Sequence, residues 1–282
     1  STPKGNIIEA FEATEAAMDL IVKSDNLPAI LERDETILTQ IVQLTSYLVI
    51  SPHFVDAIKK ILDACKASDH QLQKYPTDEF VCLIHNAYHI YPRIDPSITP
   101  NMFLVHVHQP ILLNLVEILA ELDESMDSRS KLLRAIIISA KYTVWLKNDS
   151  PLIEGPGWIQ WSSGMLRVVK FLLAGGADPK WLSDNEENNS LSDISALIVF
   201  FRSVIHILSL HDDLYNDVVQ LIDLLLTEEN LELVETRGTV LHALVGTTWE
   251  QMPSQLPPTF VSRYTDIIKM VVNRKKTLLE SK

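Results

Sequence analysis

Histidines and aspartates are the residues of this chain whose types and spacing come nearest to a reaction centre. His85 and His89 stand four positions apart, which on a helix puts both imidazoles on one face, where they can ligate a single metal ion. A zinc hydrolase built on such a pair needs a glutamate directly after the first histidine as general base; here that position is Asn86. His106 and His108 follow, but alternate residues of a strand face opposite ways. The expected reading of all four is scattered core and surface histidines, with no metal site.

The second cluster is His211-Asp212-Asp213-Leu214-Tyr215-Asn216-Asp217. Its DDxxxD pattern resembles the metal-binding helix of isoprenoid synthases, which are also all-α, and His211-Asp212 resembles the paired ligands of HD-type phosphohydrolases. The first family requires a second metal motif far downstream, and too little chain follows. The second requires an upstream histidine and a downstream aspartate, and none fits. The cluster is therefore expected to be the acidic first turn of a helix, where carboxylates complement the helix dipole. No glycine-rich phosphate loop and no G-x-S-x-G elbow is present, and Ser, Cys and His occur without the spacing of a triad. The expectation is a protein that is not an enzyme and holds no cofactor; a metal-dependent all-α enzyme using the His or Asp clusters is the competing class.

The elements that would carry these residues are helices. Of 282 residues, 46% are hydrophobic and 22% charged, with eight glycines, as in a folded soluble protein with ample length for a core. Two cysteines, Cys65 and Cys82, supply no disulfide framework and suit a reducing compartment, so the cytoplasm is expected, with the nucleus as the alternative. The start at Ser1-Thr2-Pro3 suggests a piece of a longer chain. Two uncharged runs, Thr36–Val55 and Ile98–Val116, are diluted by Gln, Asn, His and Pro, whereas a spanning helix needs about 20 predominantly apolar residues. Both are expected to be core helices, and no membrane span is expected.

Apolar periodicity predicts helices over 6–23, 27–32, 36–50, 54–66, 79–91, 111–122, 131–147, 165–173, 191–210, 214–226 and 260–272. The proline-rich 91–100, the Trp- and Gly-bearing 152–164 and the Pro/Gln/Ser stretch 252–258 read as loops or insertions. The acidic run 123–127 is expected to end the helix before it.

The clearest stretch is 165–179, MLRVVKFLLAGGADP. Met165, Val168, Val169, Leu172 and Leu173 fall on one helical face, Gly175-Gly176 suits a left-handed cap, and Asp178-Pro179 favours a turn. This resembles the end of an ankyrin repeat, whose second helix reads VVKLLLEAGADPN. Gly238-Thr239-Val240-Leu241-His242-Ala243 resembles the family's TPLHxA opening. Second-helix candidates begin at Asp56, Leu112, Leu166, Asn216 and Tyr264, roughly 50 residues apart against about 33 for regular repeats. The expected architecture is thus all-α: a helical-repeat solenoid with degenerate ankyrin-like helix pairs over 151–282, and a helical region over 1–150 that hardly shares the resemblance.

The resemblance implies a module that binds a protein or peptide through loop tips and first helices, with contacts at Asp178, Lys180, Trp181, Asp184, Glu186 and Glu187. Trp158 and Trp161 are further candidates, since aromatic residues anchor interfaces. A substrate-recognition subunit of a larger assembly such as a ubiquitin ligase is the alternative of the same class. Charge adds the partner's sign. The net charge is −13, and residues 181–236 hold twelve acids against Arg202 alone, while Arg263–Lys282 is net basic. Such a surface disfavours nucleic acid and predicts a partner with a basic segment.

Overall fold

The structure, a computed structural model, describes residues 52–67, 77–81, 84, 102–149, 161–182, 194–235, 238–246 and 256–280, with isolated positions at 16, 19, 20, 23 and 39. The chain divides into two compact units, Ser1–Glu124 and Ser125–Lys282. The described residues are overwhelmingly helical, in keeping with an all-α fold.

In the first unit, α1 (Pro52–Ala67) begins on a proline, whose fixed φ and missing N–H suit a first helical position. It packs against α2 (Met102–Leu122). Ile58, Ile61 and Leu62 of α1 and Leu115, Val116 and Leu119 of α2 are all buried, as are Phe80 and Ile84. Lys66 and Glu121 form an ion pair between the two helices. The sequence reading starts α2 after Pro110, but the helix begins at Met102 and passes through the proline. A proline inside a helix removes one donor from the ladder; burial of Leu112, Leu113, Leu115, Val116, Leu119 and Ala120 holds the segment helical beyond it. Apart from positions 16, 19, 20, 23 and 39, the helices expected over 6–23, 27–32 and 36–50 lie outside the described residues, as do most of 79–91 and the loop 91–100.

The second unit opens on α3 (Met126–Asp149). Ser125 caps it, its hydroxyl accepting from the Ser128 N–H at 3.2 Å, and Asp127 lies in its first turn. The acids 123–127 therefore do not only end α2. Asp127 opens the next helix, where a carboxylate faces the positive end of the dipole. Next come α4 (Ser163–Ala174) and α5 (Ala196–Leu210). The sequence reading starts the latter at Leu191, but Ser195 is extended and its side chain accepts from the Ile198 N–H, so the helix begins there.

A single 3₁₀ turn, Asp212–Leu214, leads into α6 (Tyr215–Leu225), followed by the short α7 (Glu228–Glu232). Strands β1 (Val234–Glu235) and β2 (Gly238–Thr239) pair antiparallel, Val234 opposite Thr239. They deliver the chain to α8 (Val240–Val245) and then α9 (Phe260–Glu280), whose helix runs beyond the expected Val272.

Helix α5 organises the unit. It contacts α3, α6, α8 and α9, and from Ala196 to Ser209 every side chain but Arg202 is buried. A helix apolar all round needs cover on every side, and that is what α5 receives. Its interior hydroxyls are satisfied within the helix: Ser203 donates to the Val199 carbonyl and Ser209 to that of His206.

Candidate partner-docking loop

The anchor helix α4 buries Met165, Leu166, Val168, Val169 and Leu172, while Leu173 is half-buried. Ser162 caps its start by accepting from the Met165 N–H at 3.3 Å. Its end is set by Gly176, which has φ +90°. The Ala177 N–H reaches back to the Leu172 carbonyl and the Gly176 N–H to that of Leu173, each at 3.0 Å. These two bonds are the Schellman arrangement, which needs a left-handed residue at the position glycine holds. Ala177 and Leu172, the two positions this motif brings together, are both buried.

From there the chain to Leu182 is tied down at each step. The Arg129 guanidinium donates to the Gly175 carbonyl. The Ser130 hydroxyl accepts from the Asp178 N–H at 2.7 Å while donating to the Met126 carbonyl at 2.6 Å. The Asp178 carboxylate accepts from the Lys180 N–H at 2.9 Å, an Asx turn of the kind Asp-Pro sequences favour. The Pro179 carbonyl accepts from the Leu197 N–H at 2.9 Å in the first turn of α5. Lys180 forms an ion pair with Glu229 of α7, and the Trp181 indole N–H donates to Asp127 at 3.0 Å. The loop is thus fastened to α3, α5 and α7.

Three residues at this end of the unit keep apolar surface in water. Met126 is 60% exposed and Leu182 41%, and Trp181 is half-buried, with its indole held against the first turn of α3 that Met126 begins. An aromatic ring fixed by a hydrogen bond beside a flexible methionine and a leucine is the composition of an interface anchor. Acids lie beside it, Asp127 and Asp178 within the loop's own contacts and Glu228, Glu229 and Glu232 on α7, all three exposed.

Of the residues singled out from sequence, Asp178, Lys180 and Trp181 come together here. Asp184, Glu186, Glu187 and Trp158 lie outside the described residues. Trp161 is only 4% exposed; its ring meets Phe200 edge-on at 5.8 Å and Phe200 meets Phe201 at 5.7 Å. Trp161 therefore belongs to the core, packed on Phe200 of α5 from the segment just before α4. Asp127, Arg129 and Ser130, which hold the loop, were not singled out, because they lie 46 to 54 residues from their partners in it and no local pattern marks such pairs.

The other clusters resolve as follows. Asp212 and Asp213 occupy the 3₁₀ turn and Asp217 the first turn of α6. Asp212 accepts from the Thr259 hydroxyl at 2.8 Å and pairs with Arg263, whose guanidinium lies 4.9 Å from the centre of the Tyr215 ring. His85 and His89 lie outside the described residues, and His106 and His108 fall in α2. Among the described residues no three His, Cys, Asp or Glu side chains are grouped to hold a metal ion, and no helix is long and apolar enough to cross a membrane. The second fragment, at Gly238–Ala243, forms a capped helix start. Gly238 has φ +103°, the Thr239 hydroxyl accepts from the His242 N–H at 3.3 Å, and His242 Nδ1 accepts from the Thr239 N–H at 3.4 Å. No family model, no curated protein and no solved structure matches this chain.

Proposed function

We propose that the second unit is a non-catalytic protein-interaction module, a degenerate helical stack of ankyrin-like pairs that binds a partner protein through the loop Gly175–Leu182 and the acidic surface beside it. The observation that carries this reading is the combination of rigidity and exposure in one loop. Hydrogen bonds from α3 and α5 fix its backbone, while Met126, Trp181 and Leu182 stay accessible. A loop held in place loses little conformational freedom on binding, so more of the contact energy appears as affinity. The left-handed Gly176 after α4 and the Thr239–His242 capping box support the kinship of the two fragments with repeat ends and repeat openings.

The excess of acids over 181–236 gives the partner a basic segment. Its cations speed encounter and select orientation, and apolar contact with Trp181 and Leu182 sets the lifetime of the complex. The test is affinity capture from the native source with the full chain and with a Trp181→Ala, Leu182→Ser variant of unchanged helix content. A protein retained by the first and lost by the second supports the reading. Equal retention by both places the docking surface elsewhere.

A further inference from the structure

The sequence Arg274-Lys275-Lys276-Thr277-Leu278 sets a hydroxyl after three cations and before an apolar residue. Protein kinases select their substrates by the charges that flank the acceptor. An arginine three positions before it suits an acidic subsite, because a guanidinium forms two parallel bonds to a carboxylate. Arg33 stands in the same relation to Thr36, but Asp34 and Glu35 lie between them and would be repelled by such a subsite. No other Ser or Thr of the chain follows an arginine at that distance.

The fold leaves this hydroxyl within reach. Thr277 lies in the last turn of α9, which ends at Glu280, and it is exposed. Its hydroxyl donates to the Asn273 carbonyl at 3.0 Å. Phe260, Tyr264, Ile267 and Val271 anchor α9 in the core, whereas from Val272 to Thr277 every side chain is exposed except Lys275, which is half-buried. The end of a helix opens at little cost, and opening lets a kinase take the acceptor in extended form. Arg274 pairs with Asp223 of α6 at 3.9 Å, both side chains being more than half exposed, and an ion pair in water holds its partners weakly.

We infer that Thr277 is a phosphate-acceptor site for a protein kinase that reads basic residues ahead of its target. The threonine oxygen attacks the γ-phosphorus of ATP, the bond from that phosphorus to the β–γ bridging oxygen breaks, and ADP leaves. The hydroxyl proton passes to the kinase's catalytic carboxylate. The ester formed can no longer donate to Asn273, and it adds about two negative charges to the helix end. Arg274 lies one turn back on the same face. Its guanidinium turns from Asp223 to the phosphate, where two-pronged, charge-assisted pairing is stronger. Helix α9 thereby exchanges a link to α6 for one within itself.

The test incubates the folded full chain with ATP, magnesium and the catalytic subunit of cyclic-AMP-dependent protein kinase, which selects basic residues ahead of its acceptor, and maps the phosphate by mass spectrometry. Phosphate enters at Thr277, and the initial rate falls about tenfold or more in Arg274→Ala, as loss of a charge-assisted contact requires. That variant changes an exposed position and keeps its helix content. A free peptide of residues 270–282 separates the sequence from the fold, and both peptide and full chain are expected to be modified. A peptide that takes phosphate while the full chain does not shows that α9 withholds Thr277, and overturns the inference. So does an Arg274→Ala chain modified as fast as the unaltered one, or a full chain with no phosphate at Thr277. Phosphorus NMR then reads the pairing: the phosphate loses its last proton at lower pH in the unaltered chain than in Arg274→Ala phosphorylated to completion. Identical titrations would show that Arg274 stays with Asp223.

Discussion

Gly176 shows how much rests on a single backbone angle. Its φ of +90° closes α4, and a Cβ added there would meet nothing within 4 Å, so any cost of substitution comes from the backbone and not from crowding. Gly176→Val is expected to destabilise the second unit by about 1 kcal/mol or more, because β-branched residues rarely adopt that region, while Gly176→Asn costs less. Denaturant melts of the two variants check this, and equal stability would mean that the helix end does not depend on the left-handed residue. Tyr264 is the second such position. It is 6% exposed, and burial pushes its pKa up to about 12 from 10.0. A phenol harder to ionise in the folded than in the unfolded chain stabilises fully below pH 10, and that contribution is lost as pH rises from 10 towards 12. Melting temperature is therefore expected to fall across this alkaline range, and Tyr264→Phe, which cannot ionise, should show a shallower fall at the cost of the bond to Leu244. Identical pH profiles would exclude Tyr264 as the titrating group.

At the scale of elements, α4 was legible because its signals are local: apolar residues at helical spacing, two glycines, then Asp-Pro. The same holds for Gly238–Ala243, where the cap and its partner lie three residues apart. What sequence did not reveal was where α3 and α5 begin, since Ser125 and Ser195 are two among many serines and only their φ, ψ and bonding mark them as caps. Nor did it reveal what holds the loop. Trp181 was singled out by its place in the loop after α4, and the structure adds its tether to Asp127; Trp161, chosen as an aromatic that could anchor an interface, packs on Phe200. Exposure depends on which helix lies above a residue, and residue type does not encode that. Ser130 offers the test at this scale. Ser130→Ala leaves the Asp178 N–H without its acceptor, at a cost of about 1 to 3 kcal/mol for a group kept from water. Amide hydrogen exchange over 176–182 is expected to accelerate while that of α5 stays protected. Unchanged exchange would show that α3 does not fix the loop.

For the molecule as a whole, the account turns on a division of labour between charge and apolar contact on the second unit. Charge acts within a screening length of about 8 Å at physiological salt, so in the proposed docking the acids would govern encounter, and Trp181 with Leu182 would govern how long the partner stays. The most direct measurement is the binding kinetics of the partner protein captured by the chain, at low and high salt, for three forms: the unaltered chain, Asp184→Lys/Glu186→Lys/Glu187→Lys, and Trp181→Ala. The account predicts an association rate that falls with salt for the unaltered chain, slower association for the charge reversal at unchanged helix content, and faster dissociation with nearly unchanged association for Trp181→Ala. A partner that associates equally fast at both salts, or that leaves Trp181→Ala no sooner than the unaltered chain, would contradict it.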